Sequence, residues 1–542
     1  MICSESGFTA GGRVAGLRGD LPAASRGGSD GGIMADDRSA PGGTWQASRD
    51  RLADSDSLPA RRPRTRPQRD EYDAVVIGSG PNGLAAAIEL ARHGWQVLVV
   101  EAWAAPGGGC RSSALTGDGA MHDVCAAVHP MGVASPLFQS LPLASHGLEW
   151  CHPPAVLAHP LDGGRAAVLW RDLDRTAAGL GADAGRYRAL MGPLVKAIHA
   201  GVLQDLLGPL RWPRHLAGMT AFGMRAVWPA AALADWVFRT PEARALLAGN
   251  AAHSVLPLDA PLTSAIGLVL QATAHAGGWP VAKGGSGRLA EALVRCLEAA
   301  GGELVCGWRV RRLDELPKAR AYVFDTAPGE MARVAGDRLP LRYRRRLERY
   351  RHGPGVFKLD LTIEGEVPWS HPGCRQAGTV HVGGTLVEVA ASERACWEGR
   401  HSERPFVLVA QPGVADPTRA PAGRSTVWAY CHVPAGSTRD LTEVVLGQIE
   451  RFAPGFRERV LALHRTTCAD YQAYNPNLIG GDVIGGVTDW RQLYARPALR
   501  WTPYATPAPD IFIGSASTPP GGGVHGMAGF HAARAVLARH GK

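Results

Sequence analysis

The chain has 542 residues and 45% hydrophobic content, enough for two or more domains or for one large domain with insertions. Its net charge of +9 comes almost wholly from arginine in an Ala/Gly/Arg-rich composition, and no basic, aromatic-bearing module of the kind that reads nucleic acid accompanies it. Ten cysteines without a C-x-x-C pair argue against a zinc module, a thioredoxin-like redox pair and a secreted disulfide framework, so with no signal peptide the chain reads as cytoplasmic and metal-free.

Residues 1–70 are Gly, Ser, Arg, Asp and Pro with almost no apolar periodicity, which reads as a disordered arm, and Met34 is an alternative start. The nucleotide stretch follows. Strand formers at 74–77 lead into the turn Gly78-Ser79-Gly80-Pro81-Asn82-Gly83, then an Ala/Leu-rich helix at 84–93 stopped by Gly94, then a strand at 97–100 ending at Glu101. Strand, G-x-G-x-x-G, helix, strand, acid is the dinucleotide fingerprint in its proper context. Gly78 allows the tight turn, Gly80 lets backbone approach a pyrophosphate, and Gly83 lets the helix sit close to the strand. The helix N-terminus offers free N–H groups to phosphate. Glu101 lies 18 residues past Gly83, placed to accept from ribose hydroxyls.

From 137 to 275 the chain is rich in Leu, Ala and Trp at helical spacing. Trp212, Leu216, Met219, Phe222 and Trp228, interleaved with Arg211, Arg214 and Arg225, form amphipathic segments with two readings: the helical wall of a substrate domain, or a peripheral membrane-surface mouth for a lipid-like substrate. The uncharged run 260–282 is broken by polar residues and prolines and reads as a buried helix rather than a membrane span. A glycine loop at 283–287 heads a helix at 289–300, and strands are expected at 303–306, 308–313 and 322–328. The basic run 342–351 reads as a solvated helix face. Residues 355–363 alternate, with Val356, Lys358, Asp360 and Thr362 on one face and Phe357, Leu359, Leu361 and Ile363 on the other. Further strands are expected at 380–389, 405–409 and 427–432, forming an antiparallel floor to a cavity. The chain then closes with a strand at 510–514, a glycine block at 521–529 and a helix at 530–540. No room remains for a second dinucleotide fold, so this block is expected to close the first one.

The stretches VVIGSGPNGLAAAIELARHGWQVLVVEA, GGSGRLAEAL, NPNLIGGDVIGG and PPGGGVHGMAGFHAA together resemble the phytoene desaturase-like FAD-dependent oxidoreductases, and within them the branch labelled pyridine nucleotide-disulfide oxidoreductase domain-containing protein 2. The resemblance covers nearly everything after residue 70. It implies FAD and an α/β fold: a Rossmann-like FAD-binding domain of the amine oxidase/phytoene desaturase type, with an α+β substrate domain inserted in the chain. On that pattern the FAD-binding domain comprises 71–136, 281–335 and 496–542, and the substrate domain 137–280 and 336–495. Gly78, Gly80, Pro81, Asn82, Gly83, Glu101 and Ala102 are implied as cofactor contacts, together with the glycine pair Gly107 and Gly108. The family's arginine directly follows that pair; here the basic residue is Arg111, two positions later. Val310 is implied near the adenine, and Gly522, Gly523, Val524, His525 and Met527 at the flavin end, where a helix dipole would favour reduced flavin.

The expected function is a dehydrogenase or desaturase moving hydride from an apolar, carotenoid- or lipid-like substrate to flavin N5. His525, His129 and Asp123 are the candidate catalytic side chains. Two alternatives stand: a flavin amine oxidase, with Lys358 as its lysine, and a non-enzymic flavin-bound regulator or scaffold.

Overall fold

Strand formers, a glycine turn and an Ala-rich run give strand β1 (Glu71–Ile77), helix α1 (Pro81–Arg92) and strand β2 (Val97–Val100), and a small hairpin of β3 (Ser112–Ser113) and β4 (His122–Asp123) follows. The computed structural model describes residues 66–493 and 495–541, so the arm, apart from 66–70, and Met34 lie outside the described residues. In chain order the longer elements continue with β5 (Ala155–Leu161), β6 (Arg165–Leu169), α2 (Ala184–His199), α3 (Leu216–Ala226), α4 (Ala230–Val237), α5 (Pro241–Ala252), α6 (Thr263–Ala276) and α7 (Gly287–Ala299). Next come β7 (Glu303–Val305), β8 (Lys318–Phe324), α8 (Leu341–Glu348), β9 (Gly355–Glu364), β10 (Ala377–Val382) and α9 (Leu386–Trp397). The chain ends with β11 (Val407–Ala410), β12 (Arg424–Val433), α10 (Thr442–Glu450), β13 (Val460–Thr466), β14 (Ile511–Ile513) and α11 (Met527–His540).

Two sheets organise these elements. The first is parallel, in the order β14-β8-β1-β2-β7. Its strand order reverses beside β1, and a ligand crevice opens at such a point, outside the carboxyl ends of the strands. Helix α1 covers one face between α7 and α11. The α1–α11 contact is very close: a Cβ on Gly529 would lie 1.7 Å from the Asn82 carbonyl oxygen. The second sheet runs β13-β9-β12-β11-β10-β5-β6, antiparallel except at β10–β5. One of its faces carries Phe357, Leu359, Leu361, Val407, Val409, Val427 and Ala429 and is buried against apolar residues of α10. The other face carries Thr379, Trp428 and Asp360 in one cross-strand row, and His381, Tyr430 and Lys358 in the next.

Several local expectations change. The run expected as a strand at 380–389 splits: β10 ends at Val382, a Gly-Gly turn follows, and Thr385 with Glu388 forms a capping box that starts α9. That Thr-x-x-Glu signal was present in the sequence. Residues 308–312 are not a strand, because they cross the sheet end as a strap whose Trp308 N–H donates to the Glu101 carbonyl at 2.9 Å. The strand expected at 322–328 ends at Phe324 and turns into a helix, Pro328–Ala335. The region expected to be helical wall also contains the β5–β6 hairpin, whose Asp-Gly-Gly turn uses Gly163 and Gly164 at positive φ. Among the described residues no helix is long and apolar enough to cross a membrane.

Candidate functional site

A cavity of about 430 Å³ opens at the carboxyl ends of the parallel strands and continues to the polar face of the second sheet. At its first end lies a cradle of bare backbone. Gly78 has φ of +103°, and a Cβ on Gly83 would lie 2.1 Å from the Gly78 carbonyl oxygen, so α1 can leave β1 this steeply only without side chains. Gly108 approaches from the second loop, where a Cβ would lie 2.9 Å from the Gly80 Cα. Pro81 begins the helix, and the buried Asn82 side-chain oxygen has no partner.

Glu101, at the tip of β2, accepts from the Ser79 N–H at 3.0 Å, the Ser79 hydroxyl at 2.6 Å and the Trp103 N–H at 2.9 Å. Arg111 pairs with it at 3.2 Å. The rest of the Arg111 guanidinium donates to the carbonyls of Ala105, Pro106 and Gly108 and to the Tyr474 hydroxyl, between the rings of Trp103 and Tyr474. Arg111 borders the cavity, but its N–H groups are spent on shaping the glycine loop, so it braces the cradle rather than reaching a phosphate. The two-residue offset in the sequence has this consequence.

Asp325 was given no role in the sequence reading. It follows β8, lines the cavity and accepts from the Gly83 N–H at 2.8 Å. Cβ atoms on Gly78 or Gly80 would strike it at 2.7 Å. Burial, and then the nearby Glu101 charge, push its carboxyl up to about 7.

Of the implied cofactor contacts, Gly78, Gly80, Pro81, Asn82, Glu101, Ala102, Gly108, Arg111, Val310, Gly523 and Val524 line this one cavity. Gly83, Gly107, Gly522, His525 and Met527 do not. Gly83 serves helix–strand packing, Gly107 donates to the Ser79 carbonyl, Gly522 lies against the Ile484 backbone, and Met527 is in the core beneath α11.

None of the three candidate catalytic side chains lines the cavity. Asp123 takes both terminal nitrogens of Arg419 at 3.0 Å and accepts from the Ser286 N–H and the Ser112 hydroxyl at 2.7 Å. Burial alone would raise its carboxyl, but Arg419 and these donors hold it below the ordinary value. It locks the hairpin to the glycine loop at 283–287; a Cβ on Gly285 would lie 2.3 Å from the Ser112 hydroxyl oxygen. The Ser286 hydroxyl donates to the Ala126 carbonyl, so His129 Nε2, at 2.8 Å, donates to it, and the imidazole is pushed down to about 4 by burial. His525 Nδ1 accepts from the Met527 N–H at 3.0 Å and caps α11; its ring, buried and pushed down to about 4, stays neutral. Asp123 and His129 position the strip Cys125–Val128 that does line the cavity, and His525 positions Gly523 and Val524.

Lys358 is fully buried and donates to Asp360 at 2.7 Å and to the carbonyls of Asp123 and Val124 at 2.7 and 3.0 Å. All three of its protons are used beneath the wall. Beyond the strip lies a chamber lined by Leu270, Trp279, Val356, Leu408, Trp428, Tyr430 and Tyr471, with Thr379 and His253. Every charged lining residue (Glu101, Arg111, Arg309, Asp325 and Glu330) stands at the cradle end. The NPNLIGGDVIGG stretch supplies Asn475, Pro476, Asn477, Leu478, Val483, Ile484 and Gly485 to the lining. Asp482 shapes it by accepting from the N–H groups of Gly353, Ile484 and Gly485.

Fold and cavity together define the class: a Rossmann-like nucleotide-binding oxidoreductase fold of the flavin amine oxidase and desaturase type. Residues 76–141 match the family described as NAD(P)-binding Rossmann-like domain. Over most of its length the chain is similar to the pyridine nucleotide-disulfide oxidoreductase domain-containing protein 2 of Rattus norvegicus, 26% identical across 86% of this chain and 94% of that one. The hydroxyneurosporene desaturase of Rhodobacter capsulatus is 30% identical over 45% of this chain and 51% of its own. Among solved structures, an oxidoreductase from Methanosarcina mazei (16% identity, 86% of this chain and 99% of that one) superposes with a TM-score of 0.60. A redesigned putrescine oxidase (16% identity, 86% and 99%) superposes with a TM-score of 0.56. These two likenesses establish the fold.

Proposed function

We propose that the chain is an FAD-dependent oxidoreductase that dehydrogenates an uncharged, apolar, carotenoid- or lipid-like substrate. The observation that carries this is one cavity whose charged lining residues all stand at the nucleotide cradle, while its far half is walled by aromatic and aliphatic side chains. The residues present fit the cofactor. Gly78, Gly80 and Gly108 leave the space a pyrophosphate needs, the unpartnered Asn82 oxygen and Glu101 can accept from ribose hydroxyls, and Val310 borders the adenine end. Cys125, Ala126, Gly523 and Val524 lie along the cavity between cradle and chamber and would hold the ring. When bound, the isoalloxazine supplies a two-electron acceptor for a C–H hydride.

The chain's own contribution is positioning. Trp279, Trp428, Tyr430 and Tyr471 supply flat apolar walls, and the substrate proton leaves to water, because none of the three candidate acids and bases reaches the cavity. We divide the chain into an FAD-binding part (71–136, 281–335, 496–542) and a substrate part (137–280, 336–495); in support, the first sheet takes its strands from 71–100, 303–324 and 511–513 and the second from 155–169 and 355–466.

The four aromatics favour a second reading, an amine oxidase, because such rings also attract cations. Against it, the Lys358 ammonium is fully engaged by Asp360 and two carbonyls, and no carboxylate lines the chamber to balance a substrate ammonium. Purified yellow protein, mixed anaerobically with unsaturated apolar compounds, should bleach, whereas primary and secondary amines should leave it coloured. Bleaching by amines alone would establish the second reading. Bleaching by neither would point to a non-enzymic flavin-bound regulator or scaffold.

A further inference from the structure

The far wall of the chamber carries polar atoms that the fold leaves without partners. The Trp428 indole N–H and the Thr379 hydroxyl are buried, line the chamber and make no hydrogen bond. They flank Ala410 in one row of the second sheet, so only a methyl group separates them at the wall. Trp279 shows the contrast: its indole N–H donates to the Leu270 carbonyl at 3.2 Å. Beside them, His253 Nε2 lies 3.0 Å from His381 Nε2, and the ring nitrogen left over, His253 Nδ1, belongs to a residue that borders the chamber. His253 in turn rests on a small imidazole cluster, since His159 Nδ1 and His381 Nδ1 are also unpartnered and a Cβ on Gly249 would lie 2.7 and 2.8 Å from them. Among the described residues no group of three such side chains is placed to hold a metal ion. Burial, and then the neighbouring His432, push the His253 imidazole down to about 3, so it stays neutral.

Buried donors and acceptors are ordinarily paired, and those left open at a cavity wall await a ligand atom. We propose that the chamber takes an apolar molecule carrying one neutral oxygen function, a hydroxyl or carbonyl, anchored at that oxygen by His253, Trp428 and Thr379. This rests on the reading of the chamber as the substrate site. The test uses FAD-loaded protein with 2-naphthol and naphthalene as probes, followed by flavin absorbance. Naphthol should bind at least about tenfold more tightly, the expected effect of satisfying a buried hydrogen-bonding group. His253→Phe and Trp428→Phe, which keep ring volume, should bind the two probes alike. Equal binding in the unaltered protein, or a preference that survives both substitutions, overturns the anchor and leaves the apolar chamber standing. Binding of neither probe overturns both.

A second, independent observation lies on the surface. Helix α3 is largely apolar on its outer side: Leu216 and Met224, with Val227 and Trp228 just past its end, are exposed along one stripe interrupted by Thr220, while Gly218, Phe222 and Ala226 face the body. Trp228 stacks on the exposed Trp236 of α4, and Leu210 and Trp212 project from the preceding loop, Trp212 at 85% exposure. Residues 206–234 contain no acidic residue but include Arg211, Arg214 and Arg225. Exposed indoles among arginines, with a single acid between them, Asp235, paired to Arg244 at 3.3 Å, complement the interface of an anionic bilayer. We infer that this face rests on an anionic membrane surface.

Full-length protein should sediment with phosphatidylcholine vesicles containing phosphatidylglycerol and detach as salt is raised. Trp212→Ser combined with Trp236→Ser should weaken binding about tenfold or more with an unchanged melting temperature, since both rings are exposed. Failure to sediment, binding unaffected by the double substitution, or a soluble dimer that the double substitution dissociates would each overturn the inference, the last by assigning the face to a second copy.

Discussion

The two ends of the cavity are built on opposite principles. At the cradle the parallel sheet offers backbone: Gly78, Gly83 and Gly108 matter because a Cβ on any of them would strike another strand end, helix or loop. At the chamber the second sheet offers side chains, and Thr379, Trp428 and Tyr430 matter for what they project. The cradle is assembled mostly from one continuous stretch, and the chamber from helices and strands spread over 128–471. The cradle is therefore fixed by steric exclusion, and the chamber by parity, by which face of each strand looks inward.

Substitutions can break this contrast, beginning with the largest effects. Lys358→Met removes the partner of a fully buried Asp360 and should cost about 3–5 kcal/mol in chemical denaturation. Burial already raises Asp360 to about 6, with Lys358 opposing it, so the loss should be larger above pH 7 than near pH 5, where the carboxyl can take a proton. At the cradle, Gly529→Ala forces α11 off the Asn82 carbonyl and should cost about 3 kcal/mol or more, although alanine favours a helix. Retention of the native melting temperature would show that the two helices are not held at that distance.

Asp325→Asn sharpens the electrostatic side of the comparison. A carboxyl raised on folding favours the fold at low pH; that contribution is complete below its ordinary value of 3.8 and is lost as pH rises towards about 7. The unaltered protein thus bears the full cost above pH 7. Asparagine can still accept from the Gly83 N–H. It should raise stability there by about 2–4 kcal/mol, with little change near pH 4, and should tighten FAD binding because a phosphate would no longer face a carboxylate. A pH-independent effect would reject this assignment.

The chamber should show the reverse balance between stability and use. Thr379→Val removes an unsatisfied buried hydroxyl and should gain about 1 kcal/mol in thermal unfolding while weakening any preference for an oxygen-bearing probe. Outside both regions, Gly223→Ala in α3 meets no atom within 4 Å and should gain about 0.5–1 kcal/mol. A loss there would mean that the outer face of α3 is more crowded than its exposure indicates.

The first βαβ unit, the acid at its tip, the closing C-terminal strand and helix, and the alternation of β9 were all legible in the sequence, because each is set by local sterics or by periodicity within a few residues. The sequence could not place His129, Asp123 or His525. All three are buried: Arg419 and Ser286 reach Asp123 and His129 from distant segments, while His525 accepts from the Met527 N–H two positions on. Nor could it show that Arg111 would spend its donors on its own loop, or that Asp325 would meet the Gly83 N–H across 242 positions. The alternation of β9 gave two faces without saying what would cover them. The polar set could have faced solvent; instead the β3–β4 hairpin lies over it and gives Lys358 its carbonyl partners. Local composition determines where backbone may turn and approach. Only tertiary contact decides which polar groups find partners and which are left at a cavity wall, because that accounting runs over groups hundreds of residues apart.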